Sequence, residues 1–125
     1  MATPAEIRAT VERYVKLMTA GDADGITALY ADDASIEDPI GAPLQRGREV
    51  IRAWYRASAG KVRLELTGPI RVAGGEAAFP MQGTIGTPDD PSYLDIIDVM
   101  KFDADGRVTS LRAFWSVDAI RRGRS

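Results

Sequence analysis

From Leu94 to Phe102 the chain reads Leu-Asp-Ile-Ile-Asp-Val-Met-Lys-Phe, and Asp98 within it constrains everything around it. Successive side chains of a strand alternate faces, so Leu94, Ile96, Asp98, Met100 and Phe102 share one side. Four large apolar residues make that side the core or the wall of an apolar pocket. A carboxylate there must be paired, or must keep its proton at a raised pKa. Kept protonated, it is a hydrogen-bond donor in a dry cavity. A buried aspartate that accepts hydrogen bonds for structural reasons fits the same spacing, and both roles stay open at this point.

The chemistry available to such a pocket is narrow. The chain has no cysteine and no histidine, which excludes disulfides, thiolate zinc sites, a Ser-His-Asp triad and the usual neutral-pH proton shuttle. Acid–base work falls to Asp, Glu, Tyr or Lys. No asparagine is present, so no N-glycosylation site exists. The net charge of −2 gives no case for nucleic acid or an anionic membrane surface. Glu6, Arg8, Glu12, Arg13 and Lys16 interrupt the N-terminal apolar pattern, so the expectation is a cytoplasmic protein without a signal peptide or transmembrane helix.

The 125 residues fit one domain, 1–125. Thr3-Pro4-Ala5-Glu6 is a capping box, followed by Ile7, Val11, Tyr14, Val15 and Met18 at helical spacing and a stop at Gly21. Asp22 caps a second helix that reads through Tyr30. Ala34 to Asp38 is a short strand ended by Pro39 and Gly41. A third helix runs from about Arg48 to Ser58, with Val50, Ile51, Trp54 and Tyr55 inward and Trp54 read as core. Strands follow at 62–66, 70–73, 77–84, 92–102 and 107–116, with hairpin turns at Gly74-Gly75 and Asp103–Gly106 and a loop from Gly86 to Pro91. Arg121-Arg122-Gly123-Arg124 reads as a solvated tail. Helices first and antiparallel strands afterwards give an α+β fold, with three helices on a curved sheet forming a cone around an apolar cavity. No repeat, linker or phosphate-binding loop interrupts the pattern.

Strand parity puts Asp38 on one face with Ala34 and Ile36, at the end where the strand opens into a turn. Asp-Pro is also an ordinary turn opener. Tyr14, Tyr30 and Tyr55 lie on the apolar stripes of three helices. Each reads as a core aromatic by itself, and the three meet in one cavity only if the helices line it. Trp115 shares a face with Leu111 and Ala113, as packing or as the wall of an aromatic site.

Nearly end to end, the chain resembles the bacterial Δ5-3-ketosteroid isomerases, of the nuclear-transport-factor-2-like cone folds. The resemblance rests on Arg13-Tyr14-Val15, Tyr30-Ala31-Asp32-Asp33-Ala34, Glu37-Asp38-Pro39, the Tyr55 helix, Leu94 to Met100, and Ala113-Phe114-Trp115-Ser116. It implies Asp38 as general base, with Tyr14 and protonated Asp98 as the oxyanion hole. It implies Tyr30 and Tyr55 as a hydrogen-bond network behind Tyr14, and Trp115, Phe79 and Leu111 against the steroid. It also implies a 3-ketosteroid substrate, no metal or organic cofactor, and a homodimer through the sheet face away from the cavity. Apolar differences such as Ile40 and Leu111 bear on substrate preference. Two other readings remain: a cyclase, dehydratase or epoxide hydrolase on the same cone, and a non-catalytic module binding a small apolar ligand or a protein partner. The enzymes among these often use histidine or asparagine, which this chain lacks.

Overall fold

The computed structural model describes residues 1–123. Three helices are present, α1 (Pro4–Ala20), α2 (Ala23–Thr27) and α3 (Arg48–Ser58). Eight strands accompany them: β1 (Tyr30–Glu37), β2 (Gln45–Arg46), β3 (Arg63–Leu66), β4 (Arg71–Ala73), β5 (Glu76–Thr87), β6 (Asp90–Phe102), β7 (Val108–Phe114) and β8 (Arg121–Arg122). The strands form one mixed sheet in the order β2-β1-β7-β6-β5-β3, with β4 on the edge of β5 and β8 on the edge of β6. The fold is α+β, with the helices packed on the sheet.

Local chemistry sets the helix ends. Thr3 Oγ1 accepts from the Glu6 amide while Glu6 accepts from the Thr3 amide, closing the expected capping box. At the other end Gly21 takes a left-handed conformation, φ +77°, and closes α1 onto the carbonyls of Leu17 and Met18. Gly60, past the end of α3, donates its amide to the Met18 carbonyl at 2.9 Å. A Cβ on Gly60 would lie 3.2 Å from the Gly21 Cα, so the two helix ends meet backbone to backbone. At the opposite end of α3, Arg48 donates to the Tyr30 carbonyl at 2.6 Å and pairs with Asp32 at 3.0 Å.

The long hairpin of β5 and β6 carries the core. Alternate residues of β6 are buried from Leu94 to Met100, and Phe79, Met81 and Ala77 of β5 face the same side. Fully burying a side chain such as Phe79 or Met100 contributes about 1.5–3 kcal/mol each. No helix among the described residues is long and apolar enough to cross a membrane.

Several boundaries differ from the sequence expectation. The second helix ends at Thr27, and Tyr30 instead opens β1, where it pairs in parallel with Val108 of β7. Pairing with a distant strand outweighs the local helical spacing. Val50 is exposed, because the inward stripe of α3 centres on Ile51 and Tyr55. Residues 86–91 are not a loop: Thr87 pairs with Asp90, leaving only Pro88 and Asp89 to turn. Arg121 and Arg122 are not a free tail but form β8, paired with Tyr93 and Ser92 and held by ion pairs to Asp95 and Asp90 at 2.8 and 3.0 Å. Arg124 lies outside the described residues.

Candidate active site

An apolar cavity opens between the helices and the sheet, and three polar residues of interest, Tyr14, Asp38 and Asp98, stand in its wall. Each arrives from a different element. Asp98 is carried by β6 with Leu94 and Ile96, which line the same cavity. Tyr14 comes from the buried stripe of α1, followed one turn later by Met18. Asp38 follows the last residue of β1, whose Glu37 pairs in parallel with Arg112 of β7. The Ile40 amide then donates to the Ala113 carbonyl at 2.9 Å, clamping this turn to the end of β7.

That clamp brings Asp38 beside Trp115. The indole N–H donates to Asp38 Oδ1 at 2.7 Å. Asp38 is half-buried; burial raises its pKa and the Trp115 hydrogen bond pulls it back. Asp98 is only 3% exposed. Burial raises its pKa well above the ordinary carboxyl value and the Asp38 charge raises it further; no hydrogen bond among the described residues opposes them. The two carboxyl groups thus sit in unequal settings within one cavity.

The tyrosines pack together. The Tyr30 and Tyr55 hydroxyls are 2.6 Å apart, and their rings lie 5.8 Å apart. Tyr14 meets Tyr55 edge to face, with ring centroids 6.2 Å apart. Burial is the first cause holding the Tyr14 hydroxyl protonated well above its usual range, and the Asp98 charge is the second. A phenol so buried stays a hydrogen-bond donor throughout the neutral range.

Tyr14, Asp38, Asp98, Tyr55 and Trp115 are therefore brought together around the cavity. Tyr30 is fully buried behind Tyr55 and is not part of the wall. Phe79 and Leu111, expected against a substrate, are also buried outside the wall. Phe79 pairs directly with Asp98 across the hairpin and Leu111 with Met100, so both support the cavity from the core. Trp54, expected in the core, is half-buried and lines the cavity.

Met18, Ser58, Val62, Ile85 and Ile120 are further wall residues for which the sequence suggests no site role. Met18 lies one helical turn beyond Tyr14, and Ser58 one turn beyond Tyr55, a spacing that could have found both. No sequence signal points to Ile120, which follows a 3₁₀ turn at Val117–Ala119. Among the described residues, no cluster of three or more Asp, Glu, His or Cys is placed to hold a metal ion.

Residues 11–111 match the family model of the SnoaL-like domain. The chain is 48% identical over 113 residues to a steroid Delta-isomerase of Nocardioides simplex, covering 90% of this chain and 91% of that protein. It is 30% identical over 110 residues to the epoxide hydrolase LasB of Streptomyces lasalocidi, covering 83% of this chain but only 39% of LasB. Its fold is similar to the solved structure of the epoxide hydrolase/cyclase-like enzyme SalBIII, with a TM-score of 0.87 at 23% identity, covering 97% of this chain and 98% of that one.

Proposed function

We propose, for a chain that belongs to the steroid Delta-isomerase family of SnoaL-like domains, that it is an isomerase converting Δ5-3-ketosteroids to the conjugated Δ4-3-ketosteroids. The observation that carries this reading is the pair of carboxyl groups in unequal settings. Asp98 is buried on the apolar face of β6, where the neutral acid is favoured, and Asp38 is half-buried with an indole N–H on one oxygen. One is suited to donate a hydrogen bond, the other to take a proton.

In this scheme the substrate ketone lies between Tyr14 and Asp98. The Asp38 carboxylate removes the proton from the carbon between the carbonyl and the double bond. The C–H electron pair moves into the conjugated system, and negative charge develops on the carbonyl oxygen as a dienolate. Tyr14 and protonated Asp98 donate to that oxygen, where a water-poor cavity strengthens both bonds. Asp38, now protonated, returns the proton two carbons along, and the electrons flow back from oxygen to complete the enone. The proton, the electron pair and the base are all restored, so no metal or organic cofactor enters. Trp115 keeps Asp38 aimed at both carbons. Tyr55 and Tyr30 hold Tyr14 in place, and the apolar wall binds the rigid ring system.

The reading includes a one-domain protein located in the cytoplasm and acting as a homodimer. Ile97 and Phe114 support the dimer: they are cross-strand partners on the sheet face away from the cavity, 50% and 40% exposed. The LasB relationship is the observation behind a second reading, in which the two carboxyl groups open an epoxide instead.

The decisive assay mixes purified protein with a Δ5-3-ketosteroid and follows the ultraviolet absorbance of the conjugated enone, with Asp38→Asn alongside. Rapid turnover is expected in the wild type, and a loss of about 10²–10⁴-fold in the variant. Near-normal turnover in Asp38→Asn rejects the mechanism. Consumption of an epoxide with no steroid turnover favours the second reading.

A further inference from the structure

Ser58 is a hydroxyl-bearing residue in the cavity wall, and the elements around it place it at the level of Leu94 rather than of Asp98. Four links establish its level. Ser58 is the last residue of α3, and Gly60 just beyond it donates to the Met18 carbonyl of α1. Thr19, next to Met18, accepts the Leu64 amide at 3.0 Å. Leu64 pairs with Gly83, and Gly83 pairs with Leu94. Leu94 is on the same face of β6 as Asp98 and four residues away, about 13 Å by the rise of a strand. Met18, Leu64 and Leu94 contribute apolar wall to the same cavity. A rigid four-ring steroid whose ketone meets Tyr14 and Asp98 brings its five-membered ring here.

The Ser58 hydroxyl already has a partner for its proton. Its proton is donated to the Trp54 carbonyl at 2.9 Å within the helix. What it offers the cavity is therefore lone pairs, which accept a hydrogen bond but do not donate one. A hydroxyl group on the substrate can donate to Ser58 without disturbing that bond, whereas a ketone at the same place could receive the proton only if the bond to Trp54 broke.

We infer that Ser58 is a specificity-determining residue that accepts a hydrogen bond from a hydroxyl group on the steroid ring remote from the reacting ketone. This rests on the steroid isomerase reading and gives that site a preference for 3-ketosteroids carrying that hydroxyl. The contact lies far from the reacting atoms and is the same in ground and transition states. It therefore acts on KM and leaves kcat alone.

The test uses three Δ5-3-ketosteroids with identical first rings that carry at C17 a β-hydroxyl, a ketone or only hydrogen. Turnover of each is measured with the wild type and with Ser58→Ala. Dissociation constants of the three conjugated products are read from quenching of Trp54 and Trp115, which line the cavity. The wild type is expected to favour the hydroxyl over the other two by about 3- to 10-fold in kcat/KM and in affinity. In Ser58→Ala that preference disappears, with the change in KM. Turnover with no hydroxyl preference, or a preference that survives Ser58→Ala, overturns the inference and leaves the isomerase reading intact. Binding without turnover overturns the isomerase reading, and the affinity ratios still decide the role of Ser58. Binding of none of the three overturns both.

Discussion

Trp115 and Asp38 are 77 residues apart in the chain, yet the indole nitrogen and the carboxylate oxygen are joined by a 2.7 Å hydrogen bond. The bond stabilises the ionised form of Asp38 against the burial that raises its pKa. It also fixes the direction in which the carboxylate points.

Removing that donor has a pH signature. A base works only when ionised, so activity is lost as pH falls through its pKa. In Trp115→Phe the opposing bond is gone, and the acid limb of kcat/KM moves to higher pH. On the plateau, kcat falls by about 10- to 100-fold as the carboxylate loses its orientation. A pH–rate profile of both proteins checks this; an unmoved acid limb would show that the bond does not tune the base.

In the proposed mechanism Tyr14 donates to developing charge, and Tyr14→Phe removes that donor. Turnover is expected to drop about 10²–10³-fold with little change in KM. Steady-state kinetics decide the matter, because weaker binding with unchanged turnover would give Tyr14 a role in binding alone.

Asp98 costs stability in a direction that can be measured. Its folded pKa lies well above its unfolded value. Below the ordinary carboxyl range both states hold the proton and nothing is lost. As pH rises above about 4, the unfolded chain ionises first, so stability falls until the folded group itself ionises. Asp98→Asn removes this penalty. The melting temperature of the variant relative to the wild type should therefore climb with pH, and a constant difference from acid to neutral pH would contradict the burial argument.

Tyr30 and Tyr55 form a bond whose energy a double-mutant cycle can isolate. Either single change to Phe leaves a buried hydroxyl without its partner and costs about 1–3 kcal/mol. The double variant should cost less than the two singles together by at least about 0.5 kcal/mol in urea unfolding. Strict additivity would mean that the 2.6 Å contact contributes nothing.

Much of this site could be read before any coordinates, because it is written in short-range periodicity. The alternation from Leu94 to Phe102 puts Asp98 on the apolar face, and the stripe of α1 turns Tyr14 inward. Contacts between distant segments left no such mark. Tyr30 reads as helical by spacing because its parallel partner, Val108, is 78 residues away. Arg121 and Arg122 are exposed, as their charge suggests, but no local pattern pairs them with Asp95 and Asp90. Phe79 and Leu111 are apolar on an inward face, and nothing in that pattern distinguishes a wall from the core behind it. Trp115 was legible as an aromatic near the cavity, but its bond to Asp38 depends on the clamp between Ile40 and Ala113.

The alternation along β6 also limits how such a chain can vary in length. Register in a strand pair has a period of two, so one residue inserted or deleted between Leu94 and Asp98 turns one of them outward. Taken up as a shift of register, an added residue there would send either the carboxyl group or the apolar wall into solvent, although the shifted backbones could still pair. The Pro88–Asp89 and Asp103–Gly106 turns lie outside this stretch, so a change of length there leaves the faces of Leu94 and Asp98 as they are.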